Sequence, residues 1–207
     1  MNLPSREYFT TRALRDLLPE WPSVTKTSPL GSLDHPFNPL SLAIGAEASF
    51  VARAIDTDKK ELVEVLRAAA HHKGSAFVEI YQNCNIYNDG AFDFVREQKE
   101  NRIYLRHGEP IVWGDKGVRL RPDGSPEVVD ASADGLLIHD AHVAEPAHAF
   151  ALSRMTQEVI GATPMGVFRS IDRPVYDDLM ADQIATARAK GEGELTALLG
   201  SGDTWTI

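Results

Sequence analysis

The central part of the chain alternates between strand-like and helical patterns of hydrophobic residues. Ala48–Ile55 and Ala76–Tyr81 are short apolar runs typical of strands, whereas the apolar residues from Leu62 to Ala69 recur at helical spacing. Two strands joined through a helix form a parallel β-α-β unit. In such units, ligands bind at the carboxyl ends of the strands. The pattern therefore predicts an α/β fold and directs attention to the residues after each strand.

Polar residues at the expected positions define the ends of two helices in this region. Asn38 can cap a helix that begins at Pro39, where the missing N–H of proline costs little, and Gly45 can end it. Asp58 can cap a second helix, which closes with His71 and the basic residues after it, at the negative end of the helix dipole. The predicted order is helix, strand, helix, strand.

The regions on either side of this unit have a different character. Residues 1–22 predict a short amphipathic helix, and residues 23–37, rich in Pro, Gly, Ser and Thr, predict a loop. Asn88–Gly90 predicts a turn. After it we expect a short helix at Ala91–Lys99 and a small antiparallel hairpin or meander at Arg102–Val129. Three helical segments are expected to follow, at Pro146–Met155, Pro174–Lys190 and Gly193–Leu199. Together these segments are expected to form a small α+β cap.

Composition excludes several classes of function. The formal net charge of −9 argues against a nucleic-acid groove, because neutralising phosphates requires clustered Lys and Arg. The apolar runs are far shorter than the roughly 20 residues that cross a bilayer. Charged residues interrupt the first 20 positions, so no signal peptide is predicted. We therefore expect a cytoplasmic protein that binds neither nucleic acid nor membrane.

The single cysteine of the chain, Cys84, follows directly after the second predicted strand. A single cysteine cannot form an internal disulfide. A thiol at this position is either a small core side chain or a soft ligand that needs further ligands from elsewhere. The chemistry of the residue alone leaves both interpretations open.

Two segments resemble a known protein family. Gln82–Gly90, which reads QNCNIYNDG, and Asn38–Ala48, which reads NPLSLAIGAEA, resemble the β subunit of 2-oxoacid:ferredoxin oxidoreductases, in particular the 2-oxoglutarate branch. Weaker similarity continues towards the carboxyl terminus. The resemblance implies an unmatched leader over 1–22, the carboxyl-terminal part of a thiamine diphosphate-binding domain over 23–84, and the β-subunit α+β region over 85–207.

The resemblance also implies an activity with its cofactors and partners. Enzymes of this family decarboxylate a 2-oxoacid on thiamine diphosphate with Mg, transfer electrons through a 4Fe-4S cluster to ferredoxin, and release an acyl-coenzyme A. The β subunit works with an α subunit. In the family, the cysteine that corresponds to Cys84 is a cluster ligand and hence a metal-binding and cofactor-binding residue.

Other parts of the family pattern are missing from the 207 residues. A four-iron cluster takes four thiolates, and this chain has one. The G-D-G motif and the downstream Asn that hold Mg and the diphosphate are also missing. We therefore expect a carboxyl-terminal portion of a β subunit that is inactive and binds no cofactor on its own.

Two alternatives remain at this stage. The chain could be a non-catalytic remnant or interaction module that has kept the fold. It could also be a small metal hydrolase, because His139 and His142, with Asp134 and His148 nearby, are potential zinc or manganese ligands. The remaining polar candidates are interpreted as a solvated helix end or as loop residues: His71, His72, His35, His107, Thr25, Lys26 and Thr27.

Overall fold

The computed structural model describes residues 30, 37–85, 89–191, 193–203 and 205. The chain divides into two compact units, Met1–Asp172 and Arg173–Ile207. The first unit contains α1 (Pro39–Gly45), β1 (Phe50–Ile55), α2 (Lys59–His71), β2 (Ala76–Tyr81), α3 (Asp93–Arg96), a 3-10 turn (Lys99–Asn101), β3 (Arg102–Leu105), β4 (Val112–Trp113), β5 (Lys116–Leu120), β6 (Pro126–Asp130), α4 (Ala147–Ser153), α5 (Gln157–Ile160) and β7 (Thr163–Ser170).

The main sheet of the first unit has four strands in the order β2-β1-β7-β3. β1 and β2 are parallel and in register, from Phe50 opposite Ala76 to Ile55 opposite Tyr81, with α2 as the connection. The prediction of an α/β fold with a parallel β-α-β unit is confirmed. β7 runs antiparallel to β1, and β3 is parallel to β7.

The capping residues predicted from the sequence start both helices of the unit. The Asn38 side chain accepts a hydrogen bond from the Ser41 N–H at 2.9 Å, and Pro39 is the first helical residue of α1. The Asp58 side chain accepts one from the Glu61 N–H at 3.2 Å at the start of α2. These bonds satisfy backbone donors that a helix leaves unpaired.

The two faces of the sheet are covered by different elements. On one face, Phe50, Ala52 and Ala54 of β1 pack with Val65 of α2. On the other face, the largest core cluster joins α1 and α4 to the sheet through Leu40, Ile44, Leu152, Val51 and Phe168. A smaller cluster lies beside it and includes Ile55, Tyr81, Phe92, Val95 and Met165.

The expected antiparallel meander is present, but it is shorter than predicted. β4, β5 and β6 form a three-stranded antiparallel sheet. Arg102–Leu105, which was expected to belong to it, instead joins the main sheet as β3. The predicted helix over Ala91–Lys99 is reduced to the single turn of α3. Trp113 and Val118 of the meander contribute to the largest core cluster.

One strand of the main sheet was not predicted at all. β7 pairs with both β1 and β3, so it lies in the interior of the sheet. The main sheet therefore takes strands from both sides of residue 84, where the sequence had placed a domain boundary.

The second unit contains α6 (Tyr176–Ala189) and α7 (Leu195–Leu199), within the helical segments predicted from the sequence. Neither helix has a buried residue. In the part of the chain that the structure describes, no helix is both long and apolar enough to cross a membrane. The predicted helix over residues 1–22 and nearly all of the predicted loop over 23–37 lie outside the described residues.

Candidate functional site

The carboxyl ends of β1 and β2 meet at one edge of the main sheet because the two strands are parallel. The Asp56 N–H donates to the Tyr81 carbonyl oxygen at 3.0 Å and joins the two strand ends. Cys84 follows three residues after β2 as a free, half-buried thiol. The structure thus places Cys84 where the sequence predicted it, at the carboxyl edge of the β-α-β unit.

The residue before Cys84 connects two points of the chain. Asn83 Nδ2 donates to Asp89 Oδ1 at 2.9 Å, and Asn83 Oδ1 accepts a hydrogen bond from the Gly90 N–H, also at 2.9 Å. Gly90 has a φ of +78°, in the left-handed region that favours glycine. We call these two hydrogen bonds the Asn83 bridge. The bridge was not predicted from the sequence, although Asn, Asp and Gly are residue types that are typical of turns with local side-chain hydrogen bonds.

A polar network follows the carboxyl end of β1. Tyr104 Oη donates to Asp58 Oδ2 at 2.5 Å, and Arg102 donates to Thr57 Oγ1 at 3.2 Å. The hydrogen bond from Tyr104 lowers the pKa of Asp58, and burial raises the pKa of Tyr104. The network therefore holds an ionised carboxylate and a neutral phenol at this edge of the sheet at neutral pH.

A buried ion pair lies within the sheet just before this edge. Arg53 Nε donates to Glu79 Oε2 at 2.6 Å, and both side chains are at most 5% exposed. The Arg53 guanidinium stacks over the ring of Tyr81 at 4.9 Å, and Tyr81 stacks on Phe92. Burial raises the pKa of Tyr81, so its phenol stays neutral. Glu79, the one polar residue of the predicted β2 run, therefore points into the protein, towards Arg53.

The histidines of the metal-site hypothesis are occupied by other contacts. The carbonyl oxygens of Val167 and Ser170 can only accept, so His139 Nε2 and His142 Nδ1 must carry the protons that they donate to them, at 2.8 and 2.6 Å. His139 Nδ1 faces His148 Nε2 at 3.3 Å. Burial lowers the pKa of His139 to about 4 and also lowers the pKa of His148.

No group of three or more His, Cys, Asp or Glu side chains that could hold a metal ion occurs among the described residues. The protons on His139 Nε2 and His142 Nδ1 make these nitrogens unavailable for coordination. The structure therefore gives no support to the metal-hydrolase alternative. It also leaves Cys84 without further ligands within the described residues.

Of the remaining histidines, His71 agrees with its interpretation as a solvated helix end, whereas His72 is half-buried and packs against the ring of Phe50. His71 is exposed at the end of α2 and donates from Nδ1 to the Arg67 carbonyl oxygen at 2.7 Å. His72 lies 2.8 Å from the Ser49 hydroxyl, and half-exposed His107 lies 3.3 Å from Asp140. His35 and residues 25–27 lie outside the described residues.

A cleft of about 620 Å³, whose lining does not include Cys84, lies between α1, α4 and the turn before β6. Its walls are largely apolar and include Ile44, Pro126, Phe150 and Val159, with the charged Arg154. Sequence reasoning did not predict it, because its walls come from elements that are far apart in the sequence.

Comparison with known proteins identifies relatives over nearly the whole chain. The 2-oxoglutarate oxidoreductase subunit KorB of Mycobacterium tuberculosis is 47% identical over 98% of this chain. The match therefore extends into the first 22 residues, which the sequence motifs had left unmatched. The β subunit of 2-oxoacid:ferredoxin oxidoreductase 1 of Aeropyrum pernix is 38% identical over 41% of the chain. No family model matches.

The chain spans only part of these relatives, 57% of the mycobacterial subunit and 26% of the Aeropyrum subunit. A solved structure, 2-oxoglutarate:ferredoxin oxidoreductase from Magnetococcus marinus with 2-oxoglutarate, coenzyme A and succinyl-CoA bound, superposes with a TM-score of 0.59. That superposition covers 88% of this chain and 50% of the other, at 20% identity. At this identity, the superposition is a statement about the fold.

The fold is an α/β fold of the kind found in this solved oxidoreductase. The chain is a homologue of the β subunits of 2-oxoacid:ferredoxin oxidoreductases. The resemblance predicted from Gln82–Gly90 and Asn38–Ala48 is thereby confirmed. Because these relatives are named as subunits of an oxidoreductase, a partner subunit and cofactors are implied for the family.

Proposed function

We propose that this chain is part of the β subunit of a 2-oxoacid:ferredoxin oxidoreductase whose substrate is 2-oxoglutarate. The complete enzyme would decarboxylate the 2-oxoacid oxidatively, form an acyl-coenzyme A and reduce ferredoxin, in a complex with an α subunit. The observation that carries this proposal is the 47% identity to a 2-oxoglutarate oxidoreductase subunit over 98% of the chain. On its own, the chain would be inactive.

The open edge of β2 supports the view that the sheet continues into a further segment. Among the described residues, β2 has a hydrogen-bonded neighbour on one side only. Phe77, Val78 and Ile80 are half-buried there, and Glu79 is turned inward to Arg53. Outward charges, proline and inward-pointing charges are among the features that keep an exposed edge strand from pairing with another strand. β2 has no outward charge and no proline, and its inward Glu79 is neutralised by Arg53, which suits pairing with a strand from the rest of a longer subunit.

The donor set of the chain suits one position of an iron-sulfur cluster and no more. A four-iron cluster takes four thiolates, and Cys84 can supply one from the carboxyl edge of the sheet. The other three would come from outside these 207 residues. When bound, the cluster would supply one-electron transfer to ferredoxin. The role of Cys84 as a metal-binding and cofactor-binding residue is part of this proposal.

Thiamine diphosphate does not fit the described residues by themselves. The G-D-G motif is missing from the sequence, and the described residues hold no group of three ligands for Mg. In the proposed complete subunit, other segments would hold the diphosphate and the metal ion. The chemistry of the decarboxylation belongs to that cofactor, and this chain would contribute the sheet and the thiol beside it.

Reconstitution tests the proposal. The 207-residue sequence is expressed as part of a complete β subunit together with its α subunit, and ferredoxin reduction is followed with 2-oxoglutarate and coenzyme A. We expect reduction that depends on both substrates, and none from the 207-residue chain alone. Turnover by the isolated chain, or a complete complex that reduces ferredoxin with other 2-oxoacids but not with 2-oxoglutarate, would contradict the proposal.

A further inference from the structure

The side chain of Asn83, the residue before Cys84, forms hydrogen bonds with two residues that follow the thiol in the sequence, Asp89 and Gly90. Its amide donates to Asp89 on one side and accepts from the Gly90 backbone on the other, both at 2.9 Å. These partners are six and seven residues away in the sequence. An amide that both donates and accepts at two adjacent residues fixes their position relative to its own backbone. The backbone of Asn83 is bonded directly to that of Cys84.

The other end of the bridge is also held in place. Gly90 adopts a φ of +78°, and a Cβ at this position would lie 3.0 Å from Asp93 Oδ2. The Asp93 N–H donates to the Gly90 carbonyl oxygen at 3.1 Å, so Gly90 is tied to the first turn of α3. Through Phe92 and Val95, this region packs into a buried cluster with Tyr81 at the end of β2. The bridge therefore connects Asn83, and with it the backbone next to Cys84, to a packed part of the unit.

We propose that Asn83 is the positioning residue for the Cys84 thiol, holding it in one orientation at the carboxyl edge of the sheet. This inference rests on the proposed function, in which Cys84 is a cluster ligand. A cluster ligand must present its sulfur in a defined direction, because the metal geometry is specific and supporting hydrogen bonds orient the ligands. Asn83 would not touch the metal. It would act through the backbone that it shares with Cys84.

The neighbouring residues provide a matched control. Asn85 is an exposed asparagine that follows Cys84 as Asn83 precedes it, and no hydrogen bond of its side chain is found in the described part of the chain. Asn83→Ala and Asn85→Ala therefore remove the same chemical group at the same distance along the chain from the thiol. Only the first removes the bridge.

A thiol-reactivity experiment on the 207-residue protein tests the inference without any cofactor. The rate at which Cys84 reacts with an aromatic disulfide reagent is measured well below the unfolding temperature. Because the two hydrogen bonds hold Asn83 against Asp89 and Gly90, we expect Asn83→Ala to raise the rate about fivefold. Asn85→Ala should stay within about twofold of the unchanged protein by the same reasoning.

Exchanging the amide of Asn83 with the carboxylate of Asp89 distinguishes positioning from a general loss of structure. Asn83→Asp alone places a carboxylate against Asp89 and breaks the bridge, whereas the double variant Asn83→Asp/Asp89→Asn exchanges amide and carboxylate, so both hydrogen bonds can form again. A carboxylate beside the thiol disfavours the reactive thiolate in both variants, so the two are compared with each other. The double variant should react more slowly than Asn83→Asp, because only the double variant keeps the bridge. An unchanged rate in Asn83→Ala, equal effects of Asn83→Ala and Asn85→Ala, or a double variant that reacts as fast as Asn83→Asp would overturn the inference.

Failure of this inference and failure of the proposed function give different results. If the rates follow the expectation but the complete subunit keeps its iron without Cys84, the bridge holds the thiol and the ligand role of Cys84 is wrong. If the complete subunit loses its iron without Cys84 but the rates do not respond to Asn83, the ligand role stands and the bridge does not position it.

Discussion

At the scale of single residues, the most consequential group is the buried pair of Arg53 and Glu79. Taking two charges out of water is costly, and the cost is offset only while each has its partner. Here the guanidinium also lies over the rings of Tyr81 and Phe168, at 4.9 and 5.4 Å. The pair therefore holds the end of β2 against β1, and with it the residues that lead from β2 to Cys84.

Removing one partner of this pair should be strongly destabilising. Glu79→Ala leaves a buried guanidinium without its carboxylate, and we expect the free energy of unfolding in urea to fall by about 3–5 kcal/mol. Glu127→Ala is the matched control, because it breaks the exposed pair with Arg119 and should change the stability little. Equal effects of the two substitutions would show that the buried pair has no special role.

At the scale of elements, the sequence was informative where local signals agree. Asn38, Pro39 and Asp58 predict the starts of α1 and α2 because capping is a local interaction between a side chain and nearby backbone. The apolar runs predict β1 and β2 for the same reason, since the pattern lies within each segment. The position of Cys84 followed from these elements.

β7 could not be predicted because its sequence breaks the rules for interior strands. It contains Pro164, which cannot donate to a ladder, and Gly166, which weakens a strand. In the structure, Pro164 lies where β7 pairs with β3 alone, since the pairing with β1 extends no further than Gly166. Gly166 has a φ of +105°, and a Cβ there would lie 3.1 Å from the Leu105 carbonyl oxygen. Both exceptions depend on tertiary contacts. The Asn83 bridge is more local, since its partners are six and seven residues away in the sequence.

The buried side chain of His139 should make the free energy of unfolding depend on pH. Burial lowers the pKa of His139 to about 4, below the usual value of 6.5. Between these values the unfolded chain binds a proton that the folded chain does not, so stability should fall as pH is lowered from 6.5 towards 4. His148, Asp140 and His107 face this group and modulate the effect.

Measurement of the unfolding free energy between pH 4 and pH 7 tests this expectation. His139→Gln should flatten the pH dependence, because one titrating group is lost. His71→Gln, which changes an exposed histidine at the end of α2, is the control substitution. A slope that does not respond to His139→Gln would mean that other groups cause the pH dependence.

At the scale of the whole molecule, the open edge of β2 is where the proposed longer subunit would continue. In the isolated chain, the amide hydrogens of β2 that point away from β1 should exchange rapidly, because no strand pairs with them in the part of the chain that the structure describes. In a complete subunit they should become protected. The amides of β1, which has neighbours on both sides, provide the internal control. Rapid exchange of the β2 edge in both proteins would mean that no strand is added there.

We propose that this chain is part of an iron-sulfur oxidoreductase subunit and that Cys84 is one ligand of its cluster. The most direct measurement is the iron and acid-labile sulfide content of the complete subunit with and without Cys84→Ser, with Asn85→Ser as the control. We expect Cys84→Ser to lose iron, sulfide and visible absorption, whereas Asn85→Ser should keep all three. Full iron and sulfide content and unchanged absorption in Cys84→Ser would contradict it.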